Sequence, residues 1–115
     1  MRDEAEKRIS VRSGGAGNGI TGTPEAIETL FRETTVVNEL GIHARSAAKI
    51  AEVAQNAKRK VWICRDREQV DASSIIDILT LGCAKGTTIT IRVECPEDIE
   101  ILSRIVGLVE NGFGE

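Results

Sequence analysis

A chain of 115 residues is the size of one domain, and 41% hydrophobic residues suffice for a core that needs neither disulfide nor metal. The net charge of -3 is mixed from many charges of both signs, which fits a soluble protein and argues against a basic nucleic-acid surface. No stretch is long and apolar enough to cross a bilayer, and the charged N-terminus lacks the apolar run of a secretory signal, so a cytoplasmic monomer without membrane insertion is expected.

Residues 1–23 read as a flexible tail: charges run to about Arg12, then come Ser13-Gly14-Gly15-Ala16-Gly17-Asn18-Gly19. Thr23-Pro24-Glu25 is a helix-start signal, and Ile27, Leu30 and Phe31 follow at helical spacing, so a short amphipathic helix is expected over 24–32. The folded domain is then 33–115. Its first strand is read in Thr34-Thr35-Val36-Val37, where β-branched residues cluster. A loop from Asn38 to Ile42 leads to a helix from about Ala44 to Asn56, with Ala47, Ala48, Ile50, Ala51 and Ala54 on its apolar face.

Lys60 to Cys64 alternates as a second strand, and Glu68 to Val70 forms a short third one after a polar turn. Ser73 or Ser74 starts a second helix, which Gly82 ends or follows. Thr87 to Val93 is a strongly β-branched fourth strand. Pro96-Glu97-Asp98 opens a last helix to Glu110, with Ile99, Ile101, Leu102, Ile105, Val106 and Val109 as its stripe. The order β-α-β-β-α-β-α packs most simply as an α+β open-faced two-layer sandwich, a four-stranded antiparallel sheet with three helices on one face.

With only Trp62, Phe31 and Phe113 as aromatics, the core must be aliphatic. Cys64, Cys83 and Cys95 are scattered and have one histidine for company. They read as small buried residues of a reducing compartment, not as a metal set, and no cofactor is expected.

The chemistry concentrates in Gly41-Ile42-His43-Ala44-Arg45-Ser46-Ala47-Ala48. His43 stands where a loop becomes a helix. The first amides of a helix have no intrahelical partner and carry partial positive charge, so the backbone of Ala44, Arg45 and Ser46 forms an anion cradle. Arg45 can bring a planar guanidinium to the same phosphate. A neutral imidazole is a competent phosphoryl acceptor, and the positive helix end favours the neutral ring. Gly41 can take dihedrals that turn the loop sharply into the site.

At this segment the sequence resembles the HPr family, the histidine phosphocarriers of the bacterial phosphoenolpyruvate-dependent phosphotransferase system. The family pattern Gly-(Leu/Ile)-His-(Ala/Thr)-Arg-Pro-Ala-Ala is matched at Gly41, Ile42, His43, Ala44, Arg45, Ala47 and Ala48. A second block is similar over Val70 to Leu81, Gly86 opens the fourth strand, and Phe113-Gly114-Glu115 is a frequent family ending. The resemblance implies an HPr-like fold over 33–115. It also implies that enzyme I phosphorylates Nδ1 of His43, that Arg45 and the helix amides hold the phosphate, and that an enzyme IIA-type protein accepts it. Ile75, Ile76 and Leu79 would dock partners, with at least Ile75 or Ile76 solvent-accessible.

The departures point to a branch. Ser46 stands where the family has Pro, Ser73 where it has Lys, and Asp77 where Gly is common. The small residue at 46, with Asn38-x-Leu40-Gly41 ahead of the histidine, resembles the nitrogen-related (NPr-type) branch. Ser74 matches a serine that an HPr kinase/phosphorylase modifies in some branches. The alternative reading is therefore a regulatory binding module that signals through Ser74 or by docking. As a helix start, Ser74 with Asp77 three residues on is close to a capping box, and Asp77 would repel a phosphate there. An RNA-binding sandwich is disfavoured by the acidic balance and the lack of stacking aromatics, and a self-contained enzyme by the lack of a second catalytic base or Walker loop.

Overall fold

The computed structural model describes residues 30–115. Strands β1 (Phe31–Thr35), β2 (Val61–Arg65), β3 (Glu68–Asp71) and β4 (Thr88–Val93) form one antiparallel sheet in the order β1-β4-β2-β3. Helices α1 (Ala44–Ala54), α2 (Ile75–Thr80) and α3 (Ile99–Glu110) cover one face. This is the α+β open-faced sandwich expected from the element order.

The period-two pattern of the strands decides which face is covered. Ile89, Ile91 and Val93 of β4 and Val61 and Ile63 of β2 point under the helices and are buried. Thr90, Arg92, Trp62 and Cys64 alternate with them on the open face, where β4 pairs Arg92 with both Phe31 and Trp62. Ala47, Ala51 and Ala54 are buried on α1, which packs against α2 and α3, and the stripe Ile101, Leu102, Ile105, Val106 and Val109 seats α3 on β1 and β4. Phe113, in a short 3-10 turn (Gly112–Gly114), fills the core as its only aromatic ring and takes a left-handed φ of 59°. Its burial anchors the segment that follows α3.

Three boundaries differ from the sequence reading. The first strand is Phe31–Thr35, not Thr34–Val37, because pairing with Arg92–Thr88 fixes its register. The Val36 amide still bonds Thr87 O, but the chain then turns toward Asn38. Strand position follows the partner, not β-branched density. The expected helix over 24–32 therefore does not include Phe31 and Arg32, which lie in the strand, and the Leu30 carbonyl just ahead of them accepts from the Val93 amide. The remainder of that helix and the tail lie outside the described residues. The last helix starts at Ile99 because a 3-10 turn (Pro96–Asp98) precedes it. Of the cysteines only Cys83 is fully buried; Cys64 and Cys95 are half-buried, and all three are free thiols.

Candidate functional site

The loop between β1 and α1 is shaped by Gly41 and Asn38. Gly41 has φ +68°, and a Cβ there would lie 2.5 Å from Cys83 O, so the loop runs flush against residues 83–84. The Ile42 amide bonds Cys83 O at 2.8 Å, which fastens the two segments. Asn38, buried, donates from Nδ2 to Gly41 O at 2.8 Å and to Glu115 Oε1 at 2.9 Å.

His43 is the N-cap of α1, with extended backbone (φ -119°) and a half-buried ring. The Arg45 amide donates to Nδ1 at 3.2 Å. That nitrogen therefore carries the lone pair, and the ring proton sits on Nε2. Nε2 donates to Glu115 Oε2 at 2.6 Å. The Ser46 hydroxyl accepts from the His43 amide at 2.9 Å and faces His43 O at 3.2 Å, clamping the backbone on which the ring is mounted. Ala47 N makes the first helical bond, to His43 O, so the amides of Ala44, Arg45 and Ser46 lack an intrahelical carbonyl. The helix start therefore presents three amides free of intrahelical carbonyls, and the His43 side chain caps them, taking the Arg45 amide and, in a capping box, the Ser46 amide.

The Arg45 side chain is exposed and makes no hydrogen bond or ion pair among the described residues. Its charge still reaches Glu115. The hydrogen bonds from Asn38 and then His43, aided by the charges of His43 and Arg45, hold the Glu115 carboxyl below the ordinary glutamate value. Lys49, on α1, donates from Nζ to Phe113 O at 2.7 Å. Buried Phe113, Lys49 and Asn38 together fix where the Glu115 carboxylate lies.

Ser74 caps α2: its hydroxyl accepts from the Asp77 amide at 3.2 Å. The Ser74 amide goes to Asp71 O, so only one half of the expected capping box forms. Ile75, Ile76 and Leu79 are all exposed, Ile76 at 74%, while Ile78 turns into the core. Leu40, in the loop before His43, is 71% exposed. Sequence reasoning passed over Leu40, Asn38, Lys49 and Glu115 as parts of this site. The last of these was visible only as a common ending, because no local spacing announces a contact across so much chain.

A family model described as "PTS HPr component phosphorylation site" matches residues 30–111. The chain belongs to the HPr family. It is 38% identical over 86 residues to the phosphocarrier protein HPr of Cupriavidus necator, covering 75% of this chain and 97% of that protein. It is 36% identical over 88 residues to the phosphocarrier protein NPr of Klebsiella oxytoca, covering 76% and 98%. Among solved structures, HPr-C-His from Thermoanaerobacter tengcongensis superposes with a TM-score of 0.70 at 30% identity, over 74% of this chain and 96% of that one. Both HPr and NPr relatives thus align with nearly their whole length. No helix among the described residues is long and apolar enough to cross a membrane.

Proposed function

We propose that this HPr-family chain is a cytoplasmic phosphocarrier in which His43 takes a phosphoryl group from enzyme I and passes it to an enzyme IIA-type protein. One observation carries the reading: Nδ1 presents its lone pair at the start of α1, beside amides that have no carbonyl partner. The Nδ1 lone pair attacks phosphorus, and the bond to the donor breaks with its electron pair leaving on the donor. The Arg45 amide, released from Nδ1, then joins those of Ala44 and Ser46 in donating to phosphoryl oxygens, and the exposed Arg45 guanidinium closes on them. The carrier contributes position and electrostatics, with no general base. Exposed Ile75, Ile76 and Leu79 supply the apolar docking area.

The matching test incubates the protein with phosphoenolpyruvate and enzyme I from the same genome. The expected product carries one acid-labile phosphate, absent from His43→Ala; incorporation that survives in that variant removes His43 from the role. Offering the phosphorylated protein sugar-type and nitrogen-type IIA proteins assigns the branch, and Asn38-x-Leu40-Gly41 favours the nitrogen-related one. Signalling through Ser74 is the weaker reading, since its hydroxyl is engaged as a cap and Asp77 stands in the first turn of the same helix.

A further inference from the structure

The ring nitrogen that phosphoryl transfer leaves alone is also held, and by a residue to which no role has been attached. Nε2 of His43 lies 2.6 Å from Glu115 Oε2. The other carboxylate oxygen accepts from Asn38 Nδ2 at 2.9 Å. Asn38 is 7% exposed and spends both amide protons, one on Gly41 O and one on Glu115. Its own Oδ1 is buried without a partner among the described residues. A buried acceptor left unpaired costs stability, so the useful part of this side chain is its pair of donors. They fix the loop carbonyl and the carboxylate relative to each other. Lys49 holds the Phe113 carbonyl two residues before Glu115, and Phe113 itself is buried, so the carboxylate is anchored from three sides.

We propose that Asn38 and Glu115 are positioning residues that act through His43: Asn38 orients the Glu115 carboxylate, and the carboxylate holds the ring proton on Nε2 and offsets the positive charge the ring gains on phosphorylation. The inference rests on the phosphocarrier reading of His43. Its chemistry follows from charge balance. A neutral ring attacks through Nδ1 and keeps its proton on Nε2, so the new N–P bond leaves the imidazole cationic. A carboxylate on that N–H stabilises the cation as it forms. When the phosphoryl group moves on, the N–P pair returns to Nδ1, the ring is again neutral, and the same carboxylate keeps the proton where it was. Without it, only the Arg45 amide on Nδ1 still favours that tautomer, so the proton spends part of its time on Nδ1 and blocks the lone pair.

The test uses the full chain, 15N-labelled, and two variants at an accessible side chain. Glu115→Ala removes both effects, and Glu115→Gln keeps an acceptor oxygen but removes the charge. Ring 15N shifts of the unphosphorylated protein at neutral pH report the tautomer, and phosphate uptake from enzyme I at limiting donor reports the rate. The wild type is expected to show a single Nε2–H tautomer and Glu115→Ala a mixture, with uptake slowed roughly tenfold in both variants. Asn38→Ala falls between them and the wild type. A rate within twofold of wild type in Glu115→Gln, or an unaltered ring spectrum in Glu115→Ala, overturns the proposal. A wild-type protein that takes up no phosphate on His43 instead overturns the phosphocarrier reading.

Discussion

His43 Nε2 and Glu115 Oε2 stand 2.6 Å apart across 72 positions of sequence. The contact gives the segment after α3 an acid-sensitive fastening. The Glu115 carboxyl is lowered by the hydrogen bonds from Asn38 and His43 and by the charges of His43 and Arg45. A lowered acid stabilises the fold above its ordinary titration range, and that contribution is lost as pH falls through the lower folded value. Amide shifts of Gly112 to Glu115 should therefore move as pH drops below about 4, the usual carboxylate range, before the sheet amides do. In Asn38→Ala the midpoint of that movement rises, since the largest lowering cause is gone. An unmoved midpoint would show that Asn38 does not hold the carboxylate.

Gly41→Ala is expected to be the most damaging small change near the site. Its φ of +68° strains any side chain, and the added carbon meets Cys83 O at 2.5 Å and Ala84 Cα at 2.9 Å, both backbone. The loop must pull away from residues 83–84, at a cost of about 2–4 kcal/mol from strain and lost packing. Urea unfolding measures this, and phosphate uptake should fall with it because Ile42 N–Cys83 O anchors the approach to His43.

Ser46→Ala removes the hydroxyl that accepts from the His43 amide at 2.9 Å, inside a fully buried pocket of the helix start. The orphaned amide costs about 1–2 kcal/mol in urea unfolding. A change below half of that would mean that water or the backbone satisfies the amide instead.

Asp98 ties the far end of the molecule. Burial pushes its carboxyl up, but hydrogen bonds from the Lys58 and Arg59 amides outweigh that and leave it below the ordinary value. Both bonds are 2.9 Å. Asp98→Asn turns one acceptor into a donor facing an N–H and should cost about 1–3 kcal/mol at pH 7. The gap to wild type narrows as pH falls through the folded value of Asp98, because the wild-type carboxylate is then protonated too. Thermal melts at pH 7 and pH 3 check both parts.

Much of this was legible in the sequence. The alternation of Thr88–Val93 and the stripe of Ile99–Glu110 each name one element type and one buried face. That His43 stands at a helix start was legible from the loop-to-helix pattern around it. The first strand was misplaced because Thr34–Val37 has the higher β propensity, yet β4 pairs with residues from Phe31 onward. Propensity is local, whereas register belongs to the partner. For the same reason Glu115 and Lys49 could not be found: their places at the site depend on how Phe113 packs.

The exposed apolar residues of α2 give a prediction about partners alone. Ile76 is 74% exposed and contributes little to the core. Ile76→Asp should change stability by no more than about 0.5 kcal/mol. It should raise the KM for this protein in enzyme I-dependent phosphorylation, with kcat nearly kept. A loss of kcat without a change in KM would place the docking area elsewhere.

The direction of β1 has a practical meaning for anyone handling this protein. The strand enters the sheet at Phe31, beside the Val93 end of β4, and leaves toward the loop that carries His43. Five residues of strand span roughly 17 Å. A probe placed on the Phe31 side chain, 59% exposed, therefore sits at the end of the strand opposite the loop that leads to the imidazole, where it reports on the sheet without lying on the approach to His43.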